Sequence, residues 1–260
     1  MCKILYEDNH LLVVEKPPGM LTQGDITGDD CLVESMKRHI GLKHRKPGAV
    51  YLGLVHRLDR PVGGLIVLAR TSKAAGRLSQ QLREHSMERE YLAVVHGCHL
   101  PDSGKLTDTL ALDERSGNMR VVPQDAVTLP GLAGPDGLIG PDASRRLTCQ
   151  NGPAGQQAVL RFVTLARDQQ LSRALVHVQL ETGRKHQIRI QLAHLGHPII
   201  QDMRYGKDAA GEPIALWGAV LRLIHPTLQK PMIFTSHPQG KAFERFASEI
   251  DAFVVLLHGG

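Results

Sequence analysis

The apolar and polar residues of the first fifty positions form short blocks that predict two strands and one helix. Apolar residues begin at residue 4, give way to a polar turn at residues 8–10, resume, and stop at Pro17-Pro18-Gly19. Runs of this kind between turn residues predict two short strands. Residues 32–40 repeat apolar side chains at helical spacing, and a basic loop follows at residues 43–48.

The next fifty residues predict a strand, a helix and a further strand. The apolar run at residues 65–69 has the length and composition of a buried strand. Thr71 or Ser72 can cap a helix whose apolar residues 75, 78 and 82 share one face and which ends among residues 83–85. Residues 89–97 are rich in side chains that favour strands.

The second half of the chain combines an irregular stretch with strands and a helix. Between about residues 116 and 155 the chain is rich in Gly, Pro, Asp and Ser, which predicts an irregular insertion. Order resumes at 157–165, residues 176–180 alternate as in a half-buried strand, and helical spacing begins near Arg184 and ends at Gly196. Strands outnumber helices without alternating regularly with them. We therefore expect an α+β fold with a mixed, mainly antiparallel sheet flanked by helices and loops.

Length and composition allow one large domain or two small ones, and we expect a single domain spanning residues 1–260. The chain has 260 residues, of which 42% are hydrophobic and 22% charged, as is ordinary for globular proteins. A formal net charge of +5 favours a polyanionic partner, and a mildly basic enzyme of another kind fits it equally well. No run approaches the ~20 consecutive apolar residues of a membrane span, and the start lacks a signal-peptide pattern. We expect a cytoplasmic protein without a membrane partner, and a monomer as the simplest state.

The cysteines and histidines do not predict a metal site. Cys2, Cys31, Cys98 and Cys149 are far apart and show neither metal-ligand spacing nor the pattern of a disulfide framework. The 14 histidines are scattered, without a His-Glu-x-x-His pattern. We expect reduced cysteines and no bound metal.

The candidate chemistry lies in residues 56–64, which read HRLDRPVGG and precede the predicted buried strand. This segment sets one carboxylate, Asp59, between Arg57 and Arg60. A positive charge within reach favours the ionised carboxylate, so Asp59 is expected to serve as a nucleophile or a base. Gly63 and Gly64 allow a tight turn or a close approach to a ligand. An ion pair that only fixes a loop is the structural alternative.

Four segments, in this order, resemble the RluA-like family of RNA pseudouridine synthases. They read LVVEKPPG at residues 12–19, HRLDR at 56–60, REY at 89–91 and TGRKHQIR at 182–189. The resemblance covers about residues 4–97 and 157–237 and rests on the combination of segments. It implies a pseudouridine synthase-like fold and a single catalytic domain, without the small RNA-binding domain that family members often carry ahead of it.

The resemblance also implies a reaction and the residues that perform it. The glycosidic bond of a uridine in RNA would break, the uracil would turn over, and its C5 would join the same ribose. Asp59 would be the catalytic carboxylate, Tyr91 the aromatic residue stacked on uracil, and Arg189 the cation paired with Asp59. Ile188 matches the family's apolar residue beside that arginine, and Arg57 would help displace the target base. The implied reaction needs no cofactor.

Elementary chemistry agrees with these assignments. A stacked base must leave its strand before an enzyme can reach its glycosidic bond, and Tyr91 offers it a surface to stack on. A helix beginning near Arg184 would direct free N–H groups at a phosphate, with Arg184 and Lys185 as further contacts. Lys16, otherwise a strand terminator, and Arg60 complete the candidate substrate-binding residues.

Positive charge outside these segments adds candidate contacts to the RNA backbone. These candidates are Lys37, Arg38, Lys43, His44, Arg45 and Lys46. If they line one face, the affinity for RNA should fall steeply as salt rises. A solvated turn is the alternative for residues 43–46.

Two other classes of protein compete with this interpretation. A protein kinase is excluded because its loop reads HRDL, whereas Leu58 precedes Asp59 here, and no Gly-rich loop or Asp-Phe-Gly motif occurs. A non-catalytic RNA-binding protein on the same fold would lack Asp59 or Tyr91, and both are present. Ribosomal and transfer RNA both fit as the substrate. Attack on the ribose and proton abstraction from C2′ both fit an ionised Asp59.

Overall fold

The computed structural model describes residues 2–45, 47–122, 155–206, 208 and 211–258. Within these ranges the chain forms one sheet of eleven strands together with five helices. The strands are β1 (Lys3–Glu7), β2 (Leu11–Lys16), β3 (Gly53–Leu54), β4 (Gly63–Ala69), β5 (Glu88–His96), β6 (Ser103–Asp113), β7 (Asn118–Val122), β8 (Gln156–Asp168), β9 (Arg173–Leu180), β10 (Leu216–Ile224) and β11 (Pro231–Thr235). The helices are α1 (Leu32–Lys43), α2 (Ser72–Arg83), α3 (Gln187–His194), α4 (Lys241–Glu244) and α5 (Ala247–His258).

The sheet is mixed and mainly antiparallel, as the sequence predicts. Its order is β1-β2-β4-β10-β5-β9-β8-β6-β7, with β3 paired to β4 and β11 paired to β10. Strands β4 and β10 are parallel, and Trp217 lies opposite Gly63 and Gly218 opposite Gly64 in their register. The described helices include none long and apolar enough to cross a bilayer.

The central strands are buried on both faces, which explains their continuous apolar sequence. In β4, Ile66 points into the larger apolar cluster, which includes Met36 of α1. Leu65 and Val67 point the other way, into a smaller cluster with Leu78 of α2. Because successive strand residues face opposite sides, α1 packs against one face of the sheet and α2 against the other.

The elements predicted for the first hundred residues are confirmed. Strands β1, β2, β4 and β5 form at the predicted apolar runs, and α1 continues past Ile40 to Lys43. Helix α2 begins at Ser72, and the Thr71 hydroxyl accepts the N–H of Ala74 at 3.1 Å. This is the N-cap that the sequence predicts.

Beyond residue 100 the structure contains β6, β10, β11, α4 and α5, for which the sequence analysis predicted no element, and it differs from the prediction at two further places. Helix α3 begins at Gln187 instead of near Arg184, because His186 at its N-cap has a left-handed backbone with φ 55°. Residues 118–122, assigned to the irregular insertion, form β7, since Met119 packs against buried Leu110 of β6. The rest of the predicted insertion, residues 123–154, lies outside the described residues.

Gly63 and Gly64 let β4 approach β10 closely. A Cβ at residue 63 would overlap the Trp217 ring, and one at residue 64 would overlap the backbone of Gly218. Gly64 also has φ +122°, a conformation that other residues rarely adopt. The close approach made possible by these glycines is therefore to a neighbouring strand.

Gly64→Ala is expected to lower the free energy of unfolding by about 2–3 kcal/mol, because it adds a backbone overlap to an unfavourable φ. Gly76→Ala is the matched control. Gly76 lies inside α2 with nothing within 4 Å of an added Cβ, so alanine should raise stability by about 0.5–1 kcal/mol. Urea denaturation compares the two variants, and equal stability would contradict this explanation.

Candidate active site

Asp59 lies on the loop between β3 and β4, and buried groups hold that loop in place. Leu58 is buried beneath it. The Thr22 hydroxyl donates to the Leu58 carbonyl at 2.7 Å, and the Gly19 N–H donates to the Arg60 carbonyl at 2.8 Å. The Asp59 side chain keeps 27% of its surface exposed. A fixed loop thus presents a carboxylate that a ligand can reach.

Lys16 supports the same loop from inside the protein. It is fully buried at the end of β2, and its Nζ donates to the carbonyls of Met20 at 2.8 Å, Pro17 at 3.0 Å and Arg60 at 3.2 Å. Burial lowers the pKa of Lys16 to about 8, against the opposing influence of the Asp59 charge. This burial contradicts the predicted substrate contact of Lys16 and makes it a residue that positions the loop.

Arg189 of α3 binds two carboxylates. Its Nη1 lies 3.1 Å from Asp59 Oδ2, while Nε and Nη2 each lie 2.8 Å from an oxygen of Asp202. Arg189 and Asp202 are only 5% and 1% exposed. Burial opposes both charges, but the hydrogen bonds between them outweigh it, so the pKa of Arg189 is raised and the pKa of Asp202 is lowered. Asp202, which the sequence analysis missed, fixes the guanidinium that faces Asp59.

The two arginines beside Asp59 in sequence do not hold its carboxylate. Arg60 turns away and pairs with Asp29 at 2.8 Å, and its Nε donates to the Gly19 carbonyl at 3.1 Å. Arg57 is exposed and makes no ion pair within the described part of the chain. The pairing inferred from the adjacent arginines is wrong, because neighbouring residues of a loop point in different directions. The pair of Asp59 with Arg189 of α3, which the resemblance implied, is present at 3.1 Å.

Asp59 opens into a cavity of about 660 Å³, a volume typical of small-molecule sites. Tyr91 of β5 and Ile188 of α3 are buried in its wall. Burial raises the pKa of Tyr91, so its phenol is neutral. The predicted site residues that line this cavity are Arg57, Asp59, Tyr91, Arg184, Lys185, Ile188 and Arg189.

A second cavity, of about 530 Å³, also reaches Asp59. Asp59, His186 and Arg189 line both cavities, whereas Arg60 lines only the second. Arg204 adds another positive charge to the second cavity. The carboxylate is therefore accessible from two cavities, and the predicted substrate-binding residues divide between them.

His186 is a polar neighbour of Asp59 that the sequence analysis did not single out, although it lies within the TGRKHQIR segment. Its Nε2 lies 3.7 Å from Asp59 Oδ2, and its Nδ1 lies 2.8 Å from the Tyr205 hydroxyl. Burial lowers the pKa of His186 to about 4, against the opposing charge of Asp59 and with help from Arg189. The imidazole is therefore neutral near pH 7 and adds a polar group without adding charge.

The predicted phosphate contact at the start of α3 changes in detail. The backbone N–H of Arg184 is not free, because it donates to Gln187 Oε1 at 2.9 Å. The Arg184 Nε donates to the Gln157 carbonyl at 3.0 Å. Arg184 and Lys185 nevertheless remain exposed at the cavity. Their charged side chains are the groups there that can reach a phosphate.

The other predicted RNA contacts in the described residues lie away from both cavities, and Lys37, Arg38, Lys43 and His44 are engaged in ion pairs, whereas Arg45 is exposed and has none there. Lys43 pairs with Glu7 at 2.6 Å, and Lys37 and Arg38 pair with nearby carboxylates at 2.8 and 2.7 Å. Lys46 lies outside the described residues. A cation that is already paired with a carboxylate attracts a phosphate less strongly. The structure therefore favours the cavity cations over this basic segment as contacts to the RNA backbone.

His56 precedes the Asp59 loop and is only 7% exposed. Its Nε2 accepts the N–H of Val67 at 3.2 Å, which requires an unprotonated Nε2. Burial, helped by the charge of Arg89, lowers the pKa of His56 to about 3. His56 is therefore neutral in the folded protein.

The neutral His56 is expected to make the protein less stable in acid. Between pH 6.5 and 3 the unfolded chain binds a proton at this residue and the folded chain does not. The free energy of unfolding therefore decreases as the pH is lowered through this range. For one histidine the loss is about 2 kcal/mol between pH 7 and pH 5. Urea titrations at both pH values measure it. His56→Gln, whose amide oxygen can accept the Val67 N–H, should lose about 2 kcal/mol less over this interval; an unchanged loss would contradict the assignment.

Comparison with protein families and curated sequences gives consistent matches. The model of a family described as RNA pseudouridylate synthase matches residues 10–194. An uncharacterized RNA pseudouridine synthase from Bacillus subtilis is 32% identical over 230 residues, which cover 86% of this chain and 64% of that protein. Ribosomal large subunit pseudouridine synthase D from Nitrosomonas europaea is 30% identical, and the match covers 91% of this chain and 58% of that protein. tRNA pseudouridine synthase C from Salmonella typhi is 30% identical, and the match covers 90% of this chain and 84% of that protein.

The fold also has a solved counterpart. Human RNA Pseudouridylate Synthase Domain Containing 4 matches with a TM-score of 0.66 and 22% identity, covering 95% of this chain and 91% of that chain. At this identity the likeness concerns the fold. It confirms the predicted pseudouridine synthase-like sheet with its flanking helices.

Proposed function

This chain belongs to the RNA pseudouridylate synthase family, and on that premise we propose that it isomerises uridine in RNA to pseudouridine with Asp59 as the catalytic carboxylate. The observation that carries the proposal is the position of Asp59. Its carboxylate lies 3.1 Å from Arg189 and opens into a cavity whose wall includes Tyr91. A charged carboxylate and an aromatic ring in one cavity are what an extruded nucleotide requires.

The chemistry of Asp59 follows from its hydrogen bonds. Arg189 donates to Oδ2, and no hydrogen bond from the described residues reaches Oδ1, which is left for the substrate. Attack on C1′ of the ribose and proton abstraction from C2′ both begin with an ionised carboxylate, and both break the N1–C1′ bond. In the first route the ester bond between Asp59 and C1′ breaks as C5 bonds to C1′; in the second route C5 bonds to C1′ and Asp59 returns the proton to C2′. In both routes C5 then loses its proton and N1 gains one. The reaction balances without an oxidant or a reductant.

Tyr91 and Ile188 define the place of the uracil in this proposal. Both are buried in the wall of the cavity, and the phenol of Tyr91 is neutral because burial raises its pKa. A neutral aromatic face stacks on a base that has left its strand, and the stacking compensates for the lost neighbours. The apolar Ile188 adds a hydrophobic surface to the same wall.

RNA is the proposed partner because positive side chains surround the cavity. Arg57, Arg184 and Lys185 are exposed and line it. The relatives named above include a ribosomal and a transfer RNA synthase, so both kinds of RNA are candidate substrates. The chain spans 64% and 58% of the length of two of these relatives. The cytoplasmic location and the monomeric state expected from the sequence stay predictions.

Release of tritium from RNA labelled at uracil C5 tests the proposed reaction. Isomerisation detaches the hydrogen at C5, so the native protein should release tritium from bulk RNA taken from cells that lack this gene. A protein that binds this RNA but releases none is the non-catalytic RNA-binding protein considered above. That outcome would end the proposal.

The proposed RNA surface has its own test in the salt dependence of binding. Replacing both Arg184 and Lys185 by Gln should weaken RNA binding. The slope of log K against log salt concentration should become shallower by roughly 1–2, because each phosphate contact contributes about 0.7–0.9 to that slope. Lys43→Gln is the control, since Lys43 pairs with Glu7 away from the cavity. A slope that responds to Lys43→Gln and not to the double variant would place the RNA surface elsewhere.

A further inference from the structure

Two buried hydrogen-bond donors beside Asp59 have no acceptor within the described part of the chain. They are Nδ1 of His56 and Nε of Arg89. Both residues line the cavity that contains Asp59 and Tyr91. Buried donors are nearly always hydrogen-bonded in native proteins, because an unsatisfied one is costly. Two such donors in one ligand cavity indicate that the ligand supplies the acceptor.

The fold forces His56 Nδ1 to be a donor. Nε2 accepts the N–H of Val67 at 3.2 Å and therefore carries no proton. A neutral imidazole has a single N–H, which must then be on Nδ1. Burial lowers the pKa of His56 to about 3, so the ring stays neutral at physiological pH and keeps this arrangement.

Arg89 is a cation without a carboxylate. It lies two residues before Tyr91 on β5, so both side chains project from the same face of the strand. Within the described residues no ion pair or side-chain hydrogen bond reaches its guanidinium. The guanidinium packs against the backbone of Gly183, where an added Cβ would lie 2.9 Å from Nη1. Gly183 thus leaves room for a charged group that the protein itself does not neutralise.

The charges around the cavity favour an anionic acceptor over a neutral one. Its carboxylates are already paired, Asp59 with Arg189 and Glu181 with Lys105 at 3.1 Å and with Arg161. The further cations that line it are Arg57, Arg83, Arg184 and Lys185. A uracil carbonyl would satisfy a donor but would leave the charge of Arg89 unpaired. A phosphodiester satisfies both requirements.

We propose that His56 Nδ1–H and the Arg89 guanidinium bind a phosphodiester oxygen of the RNA strand next to the extruded uridine. This inference rests on the proposed function and adds an anion-binding subsite to the cavity. The phosphate bound there holds the backbone while the base stacks on Tyr91. With RNA bound, both donors then have an acceptor, which couples occupancy of the cavity to the position of the nucleotide.

Side-chain N–H signals of the ¹⁵N-labelled native protein test this subsite directly. His56→Gln and Arg89→Lys assign the two signals, and the protein is titrated with inorganic phosphate, uridine 5′-monophosphate and uridine at equal ionic strength. Both signals should move downfield with the two phosphate compounds and not with uridine. Equal downfield shifts with uridine, or none with either phosphate compound, would overturn the proposal. So would an equal shift at Nε of Arg83, an exposed arginine of the same cavity.

Turnover provides a second readout. Arg89→Met should raise KM for RNA by about tenfold with little change in kcat, since one charge-assisted hydrogen bond is lost in binding. Arg89→Lys, which keeps the charge, should recover part of this loss, and Lys43→Met should leave KM near the native value, because Lys43 pairs with Glu7 away from the cavity. An unchanged KM in Arg89→Met overturns the subsite. A native protein that releases no tritium overturns the proposed function instead, so the two failures are distinguishable.

Discussion

Asp59→Asn is expected to lower tritium release from C5-labelled RNA by on the order of 10³-fold or more, a loss typical of removing a catalytic group. The amide of asparagine is nearly the same size as the carboxylate, but near neutral pH it acts neither as a nucleophile nor as a base. The variant should fold, because Arg189 keeps its two hydrogen bonds to Asp202 at 2.8 Å. Equal thermal denaturation of native and variant protein checks this.

A second carboxylate of the same cavity supplies the control for this result. Glu181 lines the cavity and is held by Lys105 and Arg161. Glu181→Gln should keep tritium release close to native, since no hydrogen bond among the described residues joins Glu181 to Asp59 or Arg189. Similar losses in both variants would mean that the charge of the cavity matters and not the carboxylate of Asp59. Native-like release from Asp59→Asn would contradict the assigned role outright.

Asp202→Asn is expected to lower the free energy of unfolding by about 3–5 kcal/mol, because it leaves a buried arginine with half of its ion pairing. Asparagine retains an oxygen for the backbone N–H groups of Arg204 and Tyr205, which Asp202 Oδ1 accepts at 3.0 and 3.2 Å. The loss therefore reports on the charge opposite Arg189. Release of tritium should fall as well, since Arg189 loses the partner that orients it towards Asp59.

The matched control for Asp202→Asn is an exposed ion pair. Asp30 and Arg38 lie 2.7 Å apart with side chains 56% and 60% exposed. Asp30→Asn should change the free energy of unfolding by at most about 1 kcal/mol, because solvent screens exposed pairs. Urea denaturation of both variants gives the comparison. Equal and small losses would show that the Arg189–Asp202 pair does not stabilise the site.

Local sequence predicts most of the elements that frame the site. Apolar runs and apolar spacing locate β2, β4, β5, α1 and α2. For example, burial of β4 on both faces gives a continuous apolar run, and the N-cap of α2 is a threonine, Thr71. The sequence does not predict β6, because half-exposed and exposed residues such as Lys105 alternate along the first part of this strand and it has no apolar run. The start of α3 was misplaced because the left-handed His186 has no counterpart in helical spacing.

The site itself was predictable as a set of residues and in one contact, the Asp59–Arg189 pair, but not in its other contacts. The resemblance named Asp59, Tyr91 and Arg189, and folding brings all three to one cavity. The partners of these residues depend on tertiary packing. Asp202 carries no local signal, and it lies opposite Arg189 only because the chain after α3 folds back on it. Burial of Lys16 likewise depends on a loop more than forty residues away.

Some residues of the quoted segments acquire a role only from what surrounds them. His56 and Arg89 both lie in segments that support the resemblance. Sequence shows that they can donate hydrogen bonds, but only the structure shows that the protein provides no acceptor for them within its described part. Arg60 is the opposite case, since its position beside Asp59 suggested a pairing and the structure directs it to Asp29 instead.

Pseudouridine measured in RNA after incubation with the protein tests the central claim most directly. Ribosomal and transfer RNA from cells lacking this gene are treated with native protein or with Asp59→Asn, digested to nucleosides and separated by chromatography. Native protein should increase pseudouridine at the expense of uridine in one of the two RNA classes, and Asp59→Asn should increase it in neither. No increase with native protein, or an equal increase with the variant, would contradict the account.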